Sequence, residues 1–147
     1  MFKIPVSVLV VIHSADLQVL LIERADVPGL WQSVTGSQEP GESLRETAIR
    51  EVAEETGLDA LAVALTDWNM RNQFEIFPRW RHRYAPGVTH NSEHVFSLML
   101  PSPQIVRLAE REHVNQIWLP FDVAAEKCFS WSNAAAIRRL PVLAISG

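Results

Sequence analysis

The hydrophobic pattern divides the chain into short strand-like runs around one strongly marked helix. Ile4 to Ile12 is almost continuously apolar and rich in β-branched residues, which predicts a buried strand. His13-Ser14-Ala15-Asp16 reads as a turn. Val19 to Ile22 reads as a second apolar strand ending at Glu23-Arg24, so the pair predicts a hairpin. Pro28-Gly29 marks a loop, Trp31 to Val34 fits a short strand, and the Gly- and Pro-rich stretch Gly36 to Glu42 predicts another loop. Further strands are expected at Ala60 to Asp67, Phe74 to Phe77, His94 to Leu100 and Val114 to Leu119. Arg79 to Ser92, around Ala85-Pro86-Gly87, reads as a long polar loop.

The helix carries signals at both ends. Ser43-Leu44-Arg45-Glu46 fits a capping box, in which the serine side chain and the glutamate three residues on satisfy each other's free amides. No Pro or Gly interrupts Leu44 to Thr56, and Gly57 stands where a left-handed C-terminal residue is wanted. Ile49, Val52, Ala53 and Thr56 share one face, and Glu51, Glu54 and Glu55 are expected on roughly the opposite face. Asp122 to Lys127 predicts one or two helical turns. Ser132-Asn133 can cap a last helix through Ala134 to Leu140, stopped at Pro141. Several strands with a central and a terminal helix predict an α/β fold, a mixed sheet covered by helices.

Composition narrows the classes. A length of 147 residues suits one domain, expected over residues 1–147. Seventeen acidic residues against 13 basic ones give a net charge of −4, which argues against a nucleic-acid binder with a basic face. The one cysteine, Cys128, allows neither an internal disulfide nor a CxxC metal site. The apolar run Val6 to Ile12 contains Ser7 and is too short to cross a membrane. No small-residue cleavage site follows it, so no signal peptide is expected and the cytoplasm is the expected compartment.

The surplus carboxylates give the first chemistry. Glu51, Glu54 and Glu55 stand at i, i+3 and i+4, where like charges repel by a few tenths of a kcal/mol per pair. A cation among them relieves that repulsion, and carboxylate oxygens are hard ligands suited to Mg²⁺ or Mn²⁺, which also bind substrate phosphates. Taken alone, three such glutamates would usually be a solvated acidic face. Here they belong to a longer pattern: Gly36, Glu42, Arg50, Glu51, Val52, Glu54, Glu55, Gly57 and Leu58. That spacing resembles the Nudix box at every defined position.

The resemblance implies an α/β/α sandwich with the box as a loop–helix–loop, and metal-dependent cleavage of a phosphoanhydride in a nucleoside diphosphate derivative or a related compound. It implies Glu51 and Glu55 as metal ligands, with Glu54 as ligand or water-orienting base. It implies Arg50 holding a glutamate carboxylate in place and Glu42 bracing that arginine. The chemistry is consistent: phosphoanhydride cleavage needs charge neutralisation and a positioned water, which metal ions on carboxylates supply. The family often draws one more carboxylate from outside the box. Glu75, Glu93, Glu110 and Glu112 are candidates, with Glu112, just before the strand Val114 to Leu119, favoured as metal ligand or general base.

The flanking blocks narrow the resemblance. Lys3 to Ile12, Trp31 to Gly36, Phe74 to Phe77, Arg81 to Val88 and Ser130 to Asn133 together, and in order, are similar to the bacterial dihydroneopterin triphosphate diphosphatases of folate synthesis. This implies a small-molecule triphosphate as substrate, Mg²⁺ (or Mn²⁺) as cofactor, and monophosphate plus diphosphate as products. It is compatible with Lys3, Arg24 and Thr35 donating to phosphate or a ring carbonyl, and with Ser130 as a further donor. Phe74 and Phe77 would stack on a flat pterin while Glu75 accepts from its amino-pyrimidine edge. The run Arg79-Trp80-Arg81-His82-Arg83-Tyr84 reads as a local patch for an anionic triphosphate or as an entry loop rather than an RNA surface. Trp68, Trp118 and Trp131 read as packing residues. A Nudix pyrophosphatase of modified or ordinary nucleoside triphosphates and a non-catalytic nucleotide sensor are the competing readings. No nucleic-acid or membrane partner is expected, and the oligomeric state is left open.

Overall fold

A computed structural model describes residues 2–60 and 64–146. Its strands are β1 (Val6–Ser14), β2 (Gln18–Arg24), β3 (Trp31–Gln32), β4 (Val34–Ser37), β5 (Ala64–Glu75), β6 (His90–Leu100) and β7 (His113–Pro120). Its helices are α1 (Leu44–Thr56), α2 (Phe121–Lys127), α3 (Trp131–Arg138) and α4 (Leu140–Ser146), with a 3-10 turn over Pro78–Arg83. Among the described residues the strands form one mixed sheet centred on β1. One edge of β1 pairs in parallel with β6, from Val6 opposite Ser92 to Ser14 opposite Leu100. The other edge is shared: its first half pairs antiparallel with β4 and its end with β2. β2 carries β3 and β7, and β5 closes the far side of β6.

The unbroken apolar run of β1 follows from burial on both faces. Val8, Val10 and Ile12 meet Ala48 and Val52 of α1 together with Phe96 and Leu98 of β6. Leu9 and Val11 meet Ala136 and Ile137 of α3 together with Val95. The chain is thus an α/β/α sandwich, with α1 over one face and α2 and α3 over the other. No described helix is long and apolar enough to cross a membrane.

α1 has the ends its sequence specifies. The Glu46 amide donates to the Ser43 hydroxyl at 3.1 Å, and the Ser43 amide to the Glu46 carboxylate at 2.9 Å. Gly57 closes the helix at φ +73°, its amide bonded to the Ala53 carbonyl at 2.9 Å.

Elsewhere the structure departs from the pattern. Of the strand expected at Ala60 to Asp67, residues 61–63 lie outside the described residues. The strand β5 begins at Ala64 and runs on to Glu75, absorbing the first half of the piece expected at Phe74 to Phe77. A register shift between Asp67 and Arg71, with Asn69 at φ 52°, breaks the alternation that would have revealed one long strand. The expected loop from Arg79 to Ser92 contains part of the 3-10 turn and the start of β6. The expected last helix is displaced as well: Ser130 caps α3, and Pro141 sits in the first turn of α4, where its missing N–H is harmless.

Candidate active site

Arg50 organises the loop before α1. Its Nε and Nη2 donate to the two Glu42 oxygens at 2.6 and 3.0 Å, a bidentate fork, while Nη1 reaches Glu51 at 2.7 Å and Glu54 at 3.3 Å. Nη2 also donates to the Ser37 carbonyl at 2.9 Å. The Glu39 amide and the Thr47 hydroxyl complete the shell of Glu42, each at 2.9 Å. The Arg50 hydrogen bonds hold the Glu42 carboxyl down at about 2, from an ordinary 4.5. Glu42 therefore stays ionised and pins the arginine that pins Glu51.

Gly36 makes room for Glu51. A Cβ built at Gly36 would stand 2.0 Å from Glu51 Cδ and 2.3 Å from each carboxylate oxygen. The requirement is for close approach rather than for an unusual backbone angle.

The three glutamates do not share an exposed face. The buried side of α1 comprises Thr47, Ala48, Glu51, Val52, Glu55 and Thr56, whereas Ala53 and Glu54 are exposed. Glu55 is 1% exposed, and both its carboxylate oxygens are buried without a hydrogen-bond partner. Burial pushes its pKa well above the usual range, and the neighbouring carboxylates of Glu51 and Glu112 add to the effect. Burial also raises Glu51, against the opposing pull of Arg50. His113 Nε2 lies 3.6 Å from Glu55 Oε1, but burial holds the imidazole down at about 4, so at neutral pH it brings no balancing charge.

A carboxylate withdrawn from water with no donor, Glu55, beside the buried Glu51, is the unfavourable half of an interaction. An oxygen-seeking divalent cation is the group that fits them. Among the described residues no three acidic, histidine or cysteine side chains already encircle an ion position. The positive charge between Glu51 and Glu54 belongs to Arg50.

These groups line a cleft of about 910 Å³, and so do all of the other site residues selected from the sequence. The cleft does not leave them equally free. Lys3 stands at the rim, its backbone amide bonded to the Arg83 carbonyl at 2.8 Å. Arg24 is a bidentate partner of Asp26, both bonds 2.8 Å; it also donates to Gln32 at 3.2 Å and lies 4.4 Å over the Trp80 ring. The Thr35 hydroxyl donates to the Val8 carbonyl at 3.0 Å. Glu75 is exposed and ion-paired with Arg81. Phe74 is half-buried on the cleft wall, and Phe77 forms an aromatic cluster with Trp80 and Phe129 at centroid distances of 5.5 to 5.9 Å. Ser130 both caps α3 and lines the cleft. Glu112 lines it from the turn before β7, whereas Glu110 faces a neighbouring depression.

Several cleft residues have no site role in the sequence reading. Trp131, expected to pack, is 61% exposed and lines the opening. Gln32 and His113 line it beside Glu55, and Ser7, Asn91 and Asn133 line it as well. Asn133 accepts from the Ser33 amide at 2.8 Å and donates to its hydroxyl at 3.0 Å, tying α3 to the segment before β4. The available signal was alternation along β6: beginning that strand at His90 puts residues 91, 93 and 95 on one face.

Comparison with known proteins agrees with this architecture. The chain is 46% identical over 144 residues to "Dihydroneopterin triphosphate diphosphatase" of Escherichia coli strain K12, covering 96% of this chain and 95% of that one. It is 43% identical over 136 residues to the protein of the same name from Haemophilus influenzae, covering 90% and 85%. The solved structure of the E. coli dihydroneopterin triphosphate pyrophosphohydrolase superposes with a TM-score of 0.91 at 45% identity, over 97% of this chain and 98% of that one. The family model described as "NUDIX domain" matches residues 3–140, and the chain belongs to that family.

Proposed function

We propose that the chain acts as a single Nudix domain that hydrolyses dihydroneopterin triphosphate to dihydroneopterin monophosphate and diphosphate, with Mg²⁺ held by Glu51, Glu55 and Glu112. Members of the family generally use a divalent metal, and the relatives from Escherichia coli and Haemophilus influenzae are named for dihydroneopterin triphosphate. The observation that carries the reading is Glu55, a buried carboxylate with no donor at one end of a cleft large enough for a ring and a polyphosphate.

A bound divalent ion supplies charge neutralisation for the phosphate oxygens and lowers the pKa of a bound water. The chain's own residues do the rest. Glu42 and Arg50 fix the Glu51 rotamer, so the ligand oxygens are in place before substrate arrives. Glu54, exposed and held only loosely at 3.3 Å by Arg50, is free to orient the attacking water or to take its proton. Glu55 is 1% exposed, which keeps bulk water from it, and neutral His113 beside it brings no competing charge. Lys3 and Arg83 at the rim provide positive charge for the distal phosphates. Water adds across the anhydride between the α- and β-phosphates, and diphosphate leaves.

The test is turnover of a panel by the purified protein with Mg²⁺: dihydroneopterin triphosphate, the dNTPs, 8-oxo-dGTP, ADP-ribose and diadenosine polyphosphates. The pterin is expected to have the highest kcat/KM. A nucleotide turned over with much higher kcat/KM replaces this reading with that of a nucleotide pyrophosphatase, and a panel left intact points to a sensor.

A further inference from the structure

On the β6 wall of the cleft the sheet places another buried carboxylate. Glu93 on β6 lies opposite Asn72 of β5 and beside Ser7 of β1 in the strand register. It lines the cleft, is 5% exposed, and its Oε1 has no hydrogen-bond partner. Two residues along the same face, Asn91 is 4% exposed. It donates to the Ser7 hydroxyl at 2.7 Å and leaves its own carbonyl oxygen unpartnered. One face of one strand therefore presents two unsatisfied acceptors, with the half-buried Phe74 opposite Asn91. Burial pushes Glu93 up to about 7, countered in part by the Ser132 hydroxyl. A dry carboxylate with one oxygen left without a donor is unfavourable unless a ligand brings one.

We propose that Glu93 is the ring-recognising residue of this cleft, accepting from the adjacent N–H and NH₂ donors of a 2-amino-4-oxopyrimidine edge, with Asn91 Oδ1 as a further acceptor. This deepens the proposed function and rests on it for the pterin, but the edge itself is common to pterins and guanine. Glu75, the carboxylate that sequence order suggests for this role, is exposed and paired with Arg81, so a ring bound there would have to displace the arginine. Among the described residues Glu93 forms no ion pair, and its burial excludes water from the contact with a ring, where a hydrogen-bond mismatch discriminates most strongly.

The experiment separates ring binding from phosphate binding and from turnover. Neopterin, a ring without phosphates, is titrated by its fluorescence into the Mg²⁺-loaded wild type and Glu93→Gln. Inorganic triphosphate is titrated calorimetrically into both. Glu93→Gln is expected to weaken neopterin at least tenfold and to leave triphosphate binding within twofold. Equal neopterin binding by the two proteins overturns the proposal. So does parallel loss of both ligands, the mark of a merely structural role, and so does a wild type that binds no neopterin and shows no preference for dGTP over dITP, which lacks the 2-amino group. If the wild type favours guanine nucleotides over the pterin triphosphate, the proposed function fails. Glu93 is then judged on whether Glu93→Gln loses the dGTP-over-dITP preference.

Discussion

The Glu51 carboxylate occupies the space that a side chain on Gly36 would need, with Cδ 2.0 Å from where that Cβ would stand. The obstructing group is the end of a side chain, so Gly36→Ala can be accommodated by moving Glu51 rather than by unfolding β4. The expected result is a kcat lower by about a hundredfold, the size of effect an ångström-scale displacement of a reacting group produces. The melting temperature should stay within about 5 °C of wild type. Steady-state kinetics and a thermal melt check both halves; an alanine variant with the full rate would show that Glu51 is not needed where it stands.

The fork from Arg50 to Glu42 has a pH signature. Glu42 is depressed to about 2 in the folded chain, from 4.5, so its contribution is present above the ordinary value and is lost as pH falls through the depressed one. The wild type should therefore lose melting temperature between about pH 4.5 and 2. Glu42→Gln, without the titrating group, should show a shallower decline over the same window. At pH 7 the variant should be less stable by about 1 kcal/mol, allowing for screening of a pair partly open to solvent. Melts at a series of pH values test this, and parallel curves for the two proteins would contradict it.

How much of this could be read from residues alone depends on which rule governed each position. The loop–helix–loop was legible because Ser43, Glu46 and Gly57 act locally, through amides a few residues away. The facing of α1 was not, because helical pattern reading puts glutamate outside. Glu51 and Glu55 are nevertheless buried beside Val52, as ligands to a metal would be. β5 was hidden by its register shift at Asp67 to Arg71, which interrupts the two-residue period. The β6 wall of the cleft was hidden by the same kind of error: a strand read as starting at His94 leaves Asn91 and Glu93 in a loop, with no face to share.

Glu55 links the site to stability. It is a buried carboxylate without a donor, so with metal chelated, replacing it by a neutral amide should not destabilise the fold. Glu55→Gln is expected to melt at or above the wild type in EDTA. Saturating Mg²⁺ should raise the wild-type melting temperature by about 5–10 °C, since a ligand at a hundred times its Kd adds about 2.7 kcal/mol. The variant should lose most of that rise together with its activity. A Glu55→Gln protein that keeps both the Mg²⁺ shift and the rate would remove Glu55 from the ligand set.

The outer carboxylate is the last assignment to test, and the structure separates the two competitors by position. Glu112 lines the main cleft, and its charge acts on Glu55; Glu110 opens onto the neighbouring depression with Arg107 and Leu108. The turn that carries Glu112 is closed by one backbone bond of its own and tied to the residue after β2 by another. The Glu112 amide donates to Ala109 at 3.0 Å, and the Glu112 carbonyl accepts from Ala25 at 2.9 Å. An exposed side chain on a fixed backbone can swing toward a metal or a water without refolding the loop. Glu112→Gln should lower kcat by about 10- to 100-fold, the range for losing a general base or a ligand's charge. Glu110→Gln should stay within about twofold of wild type, as a surface change away from the cleft does. If Glu110→Gln loses the rate and Glu112→Gln keeps it, the turn must rearrange when metal and substrate bind, and the assignment passes to Glu110.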